Sequence, residues 1–205
     1  MGHTGLKMLT HIEKTEADLR KAFNDKMTEE QENKKEEDQL EQMGGGKEAE
    51  LENDVVYLHS ICDHYILNKG LFAKFAEILK SICEECKKKY LKPQEKEAME
   101  KFMETDEYLV EKVSILSLCK FMYISKKYAN DNLSTIFALI KSHIDPSIKS
   151  NIIISIGDLC NRFPNNLEPW KNHIFQSLTD HSPLVRKTTL MVISHLILND
   201  MIKVL

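Results

Sequence analysis

Two stretches in the C-terminal quarter of the chain carry one pattern 37 residues apart, and this spacing restricts the fold more than any other feature. SIKSNIIISIGDLCNRFPNN and SPLVRKTTLMVISHLILND align so that Ile148-Lys149 matches Val185-Arg186 and Gly157-Asp158-Leu159 matches Ser194-His195-Leu196. A helical pair recurring at such a period cannot bury its apolar face alone; stacking on the next pair buries it, which predicts an all-α helical-repeat solenoid. The clearest units run 132–166 and 167–203. A chain built this way is expected to act as a scaffold or binding surface.

The repeat text does not extend over the whole chain. Residues 1–50 carry thirteen acidic and eight basic side chains, whereas the remaining 155 residues carry nineteen and twenty. The opening has a weak stripe of Leu6, Leu9, Ile12, Leu19 and Phe23, followed by MTEEQENKKEEDQLEQM and Gly44-Gly45-Gly46. So few apolar groups do little to offset the entropy of ordering, so a disordered or transiently helical acidic leader with a glycine linker is expected. The alternative is a helix that folds on contact with a partner. Residues 51–205 form the predicted repeat domain.

From Leu51 onward apolar residues recur at three-and-four spacing, as in Leu71, Phe75, Ile78, Leu79, Ile82, Cys83 and Cys86. A short helix is predicted around Glu95–Glu104 and one long helix from Tyr108 to Tyr128. The first repeat then starts at Asn132–His143, turns at Asp145-Pro146 and returns over Ile148–Arg162. The second comprises Leu167–Leu178, with Pro169 in its first turn, and Leu184–Leu198, with Ser182 as cap and Pro183 at the first helical position. The apolar ending HLILNDMIKVL points to a fragment of something longer, or to cover by another chain.

Several function classes find no support. Five cysteines, an odd number set in apolar runs without a secretory leader, read as reduced buried thiols. His59, Cys62, His64 and the Cys83-x-x-Cys86 pair invite a zinc reading, but no tight loop brackets them and core packing explains them better. No metal or other cofactor is expected. His143, His173, His181 and His195 have no nucleophile in an elbow context beside them, so no catalytic residue is expected. Apolar runs such as IIISI are far too short to span a membrane, and nothing suggests a small-molecule substrate.

The remaining candidates are structural or electrostatic. Asp180, Pro183, Val185 and Arg186 match the turn-to-second-helix signature of a HEAT repeat, in which Asp and Arg tie neighbouring repeats by a polar ladder; Lys149 fits the same line. Asp158 is expected to bind neighbouring backbone amides. Arg162, Phe163, Pro164 and Trp170 gather bulky and rigid groups at an inter-repeat corner, where Trp170 is expected to pack on Phe163 or Phe175 or else to anchor a partner peptide. Lys126, Lys127, Lys171, Lys187 and Lys203 are candidates for contact with a phosphate backbone, the rival reading being ordinary solubilising charge.

The string from Asn151 through NIIISIGDLCNRFPNNLEPWKNHIFQSLTDHSPLVRKTTLMVISHLILNDMIKV closely resembles the condensin subunit 1 HEAT-repeat family, the regulatory non-SMC subunit of the chromosome-condensing complex. The resemblance rests on Gly157-Asp158-Leu159, Arg162-Phe163-Pro164, Pro169-Trp170, Val185-Arg186-Lys187-Thr188 and His195 through Met201. It implies a non-catalytic scaffold that binds the kleisin subunit and the SMC ATPase subunits, contributes to double-stranded DNA contact, and resides in the nucleus and on chromosomes with a cytoplasmic pool. A generic HEAT- or armadillo-type adaptor without a chromosomal role is the alternative.

Overall fold

The computed structural model describes residues 2–33, 44–61, 70–93 and 95–201, and every regular element among them is helical. They are α1 (Gly2–Asn33), α2 (Gly44–Ile61), α3 (Gly70–Lys89), α4 (Lys96–Met103), α5 (Asp106–Ile124), α6 (Lys126–Lys141), α7 (Pro146–Arg162), α8 (Pro164–Leu167), α9 (Lys171–Gln176) and α10 (Pro183–Leu198). No helix among the described residues is long and apolar enough to cross a membrane.

Capping chemistry sets most of these boundaries. Thr105 accepts the Tyr108 amide at 3.2 Å to start α5, with Asp106 and Glu107 at the positive end of the helix dipole. Asp145 accepts the amides of Ser147 and Ile148 at 3.0 and 3.3 Å, and Pro146 opens α7 where its missing N–H costs nothing. The expected single helix from Tyr108 to Tyr128 is instead two. Ser125 adopts an extended conformation and accepts the Tyr128 amide at 3.1 Å, so it ends α5 and caps α6.

The second unit also departs from expectation. Its first helix begins at Pro164 rather than Leu167, and breaks into α8, a 3₁₀ turn Glu168–Trp170, α9 and a second 3₁₀ turn Ser177–Thr179. Pro169 has no amide proton to donate to the preceding turn, which favours the tighter 3₁₀ geometry there. Ser182 is the N-cap residue of α10, but its side chain accepts no capping bond; the Asp180 carboxylate receives the Ser182 amide at 2.8 Å instead.

Helices α1, α5, α7 and α10 form a row in which each packs on the next, while α3 packs against α5 and α6 and α9 contacts α10. The repeat spacing is visible as matched burial. Ile148 and Val185, Ile152 and Thr189, Ile156 and Ile193, and Leu159 and Leu196 are pairs at the 37-residue offset, and all are buried. Gly157 allows the closest approach, because a Cβ there would stand 2.8 Å from Cγ1 of Val192.

Polar ties join the other layer. Tyr90 is buried; its hydroxyl donates to Glu111 at 2.6 Å and its carbonyl accepts the His143 amide at 2.9 Å. Lys89 binds the other oxygen of Glu111 at 2.8 Å, so this buried carboxylate is fully engaged. Burial, reinforced by the bond to Glu111, drives the Tyr90 phenol well above its ordinary pKa. Tyr128 donates to the Ala76 carbonyl at 2.8 Å, fastening α6 to α3.

Residues 1–50 were set apart from the core by their polarity. The structure forms helix over Gly2–Asn33, buries Leu9 to 1% exposure and packs Leu6 and Ile12 against the core. Gly44-Gly45-Gly46 opens α2. Three apolar side chains on one face are enough to seat the first third of α1 on α5, although the rest of the segment is polar.

Candidate interaction surface

The corner between α7 and α8 gathers the largest set of candidate residues. Arg162 lies in the last turn of α7, where a cation complements the negative helix end. Phe163 ends that helix with φ −130° and ψ 60°, and Pro164 begins α8. The Arg162 guanidinium lies over the Tyr123 ring at 4.9 Å and near the Phe163 ring at 5.3 Å, a cation–π arrangement. Its Nη1 pairs with the Glu13 carboxylate of α1, while its buried Nε–H has no acceptor among the described residues. A cleft of about 590 Å³ adjoins the corner, walled by Val55, Val56, Arg20, Lys126, Arg162 and Phe163.

Trp170 does not pack on Phe163 or Phe175 as expected. It stacks on Phe137 of α6, with ring centroids 4.6 Å apart and planes within 5°. His173 sits beside both rings, and its Nδ1 is 3.1 Å from the Lys141 ammonium. An ammonium only donates, so Nδ1 accepts. The aromatic group thus bridges one helical pair to the next. Sequence spacing cannot find Phe137 as the partner, because it lies 33 residues away on a different helix.

The polar ladder has a different composition from the one expected. Lys149 of α7 donates to the Asp180 carboxylate at 3.0 Å, with both side chains largely buried. Arg186 makes no ion pair with Asp180; its Nη1 donates to the carbonyls of Asp180 and His181 at 2.8 and 3.0 Å. Burial pushes the Asp180 pKa up, but the Ser182 amide and Lys149 outweigh it and hold the carboxyl below its ordinary range. One unit earlier, Tyr108 donates to Asp145 at 3.2 Å, so the preceding rung joins α5 to the α7 cap. Asp158 binds no backbone amide among the described residues. It is exposed on α7, and partial burial raises its pKa while the neighbouring His195 lowers it.

The candidate lysines do not form one group. Lys126 and Lys127 open α6 with no acid in that turn, so both sit at the positive end of the dipole and are exposed. Lys187 is exposed in the first turns of α10. Lys171 is tied to Glu168 at 2.5 Å. Lys203 lies outside the described residues, as do Cys62 and His64.

The thiols of Cys83, Cys86, Cys119 and Cys160 are buried and unbridged. Burial pushes Cys86, Cys119 and Cys160 up to about 12, so at neutral pH they pack as small apolar groups rather than as thiolates. Among the described residues no cluster of His, Cys, Asp and Glu could hold a metal ion.

Residues 147–205 match the family of the non-SMC mitotic condensation complex subunit 1. Condensin complex subunit 1 of Xenopus laevis is 47% identical over 92 residues, which is 45% of this chain and 7% of that protein. The condensin-1 complex subunit CAP-D2 of Arabidopsis thaliana is 44% identical over 91 residues, 44% of this chain and 6% of that protein. Condensin complex subunit 1 of Saccharomyces cerevisiae aligns with all of this chain at 25% identity, over 17% of its own length. The chain therefore spans well under a fifth of these relatives. Residues 147–205, which carry nearly all of α7 and the whole of α10, are thus similar to the condensin complex subunit 1 family, and the whole chain aligns with the yeast member at lower identity.

Proposed function

We propose that this chain serves as non-catalytic scaffold in a condensin complex, with residues 51–205 as a HEAT-like repeat domain and residues 1–50 as an appended acidic segment. Its partners in this reading are the kleisin and SMC ATPase subunits, its location the nucleus and chromosomes with a cytoplasmic pool, and its role chromosome condensation. The observation that carries the reading is the placement of the family segment on α7 and α10, the helices held closest by Gly157 and Val192. An array of helices whose buried polar groups serve as inter-helix ties is suited to presenting surface rather than to chemistry. Affinity purification of the tagged protein from dividing cells recovers kleisin and SMC subunits; their absence rejects the assignment.

DNA contact is assigned chiefly to Lys126, Lys127 and Lys187. The first two lose helix-dipole stabilisation by sitting at an N-terminus, which a phosphate would restore. Lys171 contributes less because Glu168 competes for it. Duplex affinity measured by anisotropy falls steeply with salt, and each phosphate contact adds about 0.9 to the logarithmic slope. Changing all three lysines to Gln lowers the slope by about 2 to 3. An unchanged slope rejects this surface.

A further inference from the structure

The first third of α1 is seated on the body of the protein in the manner of a bound ligand. Leu6, Leu9 and Ile12 recur at three-residue spacing, and Glu13 follows directly on the same side. Leu9 is buried, Leu6 and Ile12 are partly buried against the core, and the Glu13 carboxylate pairs with Arg162. Beyond this patch, residues 17–22 are exposed throughout. Among the described residues, the first third of α1 is seated by three apolar side chains and the Glu13–Arg162 pair, while Arg20 further along ties the helix to Glu52 of α2.

The receiving surface keeps unused binding capacity. The Arg162 Nε–H is buried without an acceptor among the described residues, although the same guanidinium is positioned by the Tyr123 and Phe163 rings. The cleft alongside has apolar walls from Val55, Val56 and Phe163, and the exposed Lys126 ammonium on its rim. Glu16 and Glu52 also line it, but both engage Arg20, at 3.1 and 3.5 Å. Cationic groups therefore remain for an acidic visitor, and α1 is an incomplete match to the site.

We propose that the surface at the C-terminal ends of α5 and α7, built on Tyr123, Arg162 and Phe163, is a receptor for acidic amphipathic helices, filled in cis by α1 and open to a partner helix of the same chemistry. Its recognition mode is helix-in-groove, read by apolar anchors at i, i+3 and i+6 and an acid at i+7. Because α1 is tethered, it competes at a high effective concentration, and a partner binds only by displacing it. The inference goes beyond the condensin assignment and does not depend on which subunits assemble.

The test uses the full chain and a fluorescein-labelled peptide with the sequence of residues 2–25, with anisotropy as the readout. Binding to a Leu9→Asp chain is expected to be at least tenfold tighter than to the unaltered chain, because the cis occupant has been expelled. Adding Arg162→Glu abolishes it, and a peptide carrying Glu13→Arg restores it. A scrambled peptide of the same composition does not bind. Equal affinity for the unaltered and Leu9→Asp chains, no binding to the latter, or equal binding of the scrambled peptide overturns the proposal. Amide-exchange protection of α7 and α10 is the control for folding. If Leu9→Asp strips it, Leu9 is an integral core residue and the receptor idea fails.

Discussion

The two flanks of the helix row are built in opposite ways. On the α1 side, a mostly polar helix covers α5 with one fully buried side chain and an ion pair, and shows solvent its charged face. On the α10 side, Val185, Thr189, Ile193 and Leu196 are buried against the row, yet Leu190, Met191 and Leu198 are 58%, 63% and 84% exposed. The equivalents of Leu190 and Ile197 one unit earlier, Ile153 and Cys160, are buried. Helix α10 thus has the composition of an interior helix with one side uncovered, whereas α1 has that of a lid. The difference teaches that burial in this architecture follows from the neighbour a helix has, and that identical repeat positions acquire different energetic weight.

The comparison breaks first at the shared interior. Leu196→Ala removes a fully buried side chain between α7 and α10 and is expected to cost about 2 to 5 kcal/mol, read from the midpoint of urea unfolding. A loss below about 0.5 kcal/mol would mean that α10 is not anchored to the row.

The close approach at Gly157 comes next. Gly157→Leu drives side-chain atoms into Val192 and is expected to cost about 1 to 3 kcal/mol through overpacking. Gly157→Ala costs less, since better helix propensity returns about 1 kcal/mol. Combining it with Val192→Ala recovers most of the remainder.

The polar rung gives a pH-dependent effect. Asp180 has a folded-state pKa below its unfolded value near 3.9, so its contribution is complete above that value and is lost as pH falls through the lower folded value. Asp180→Asn therefore flattens part of the acid limb of stability against pH and costs up to about 1 kcal/mol at pH 7, the upper range of a partly screened ion pair. An acid limb unchanged by the substitution would remove the Lys149–Asp180 rung from the account.

The smallest effect is expected at the open flank. Leu190→Ser changes stability by no more than about 0.5 kcal/mol, because the side chain is already in water. A loss like that of Leu196→Ala would show that this side is covered in solution.

Much of the helix register was readable from single residues. The 37-residue offset paired Ile148 with Val185 and Leu159 with Leu196, all of which are buried, and Pro183 opens α10 as its position suggested, whereas Pro146, read as part of the turn, already belongs to α7. The break at Ser125 does not show in the sequence because Tyr108 to Tyr128 keeps its helical periodicity with no Gly or Pro to interrupt it, and a lone serine signals a cap only weakly. In residues 1–50 the average polarity hides three well-spaced apolar residues, Leu6, Leu9 and Ile12, which the structure places against the core. For the candidate surface, residues were legible but partners were not. Arg162 was singled out, yet nothing in sequence pairs it with Glu13, 149 residues away.

Sequence by itself determined the all-α class and which face of each repeat helix turns inward, because helical periodicity and turn chemistry act within a few residues of the chain. Tertiary structure alone decided that Trp170 meets Phe137, that Lys149 rather than Arg186 binds the Asp180 carboxylate, and that α1 rests on α5 with Glu13 against Arg162. Those pairings depend on the angles and offsets at which whole helices pack, which are set by many contacts at once and are written in no single stretch of the chain.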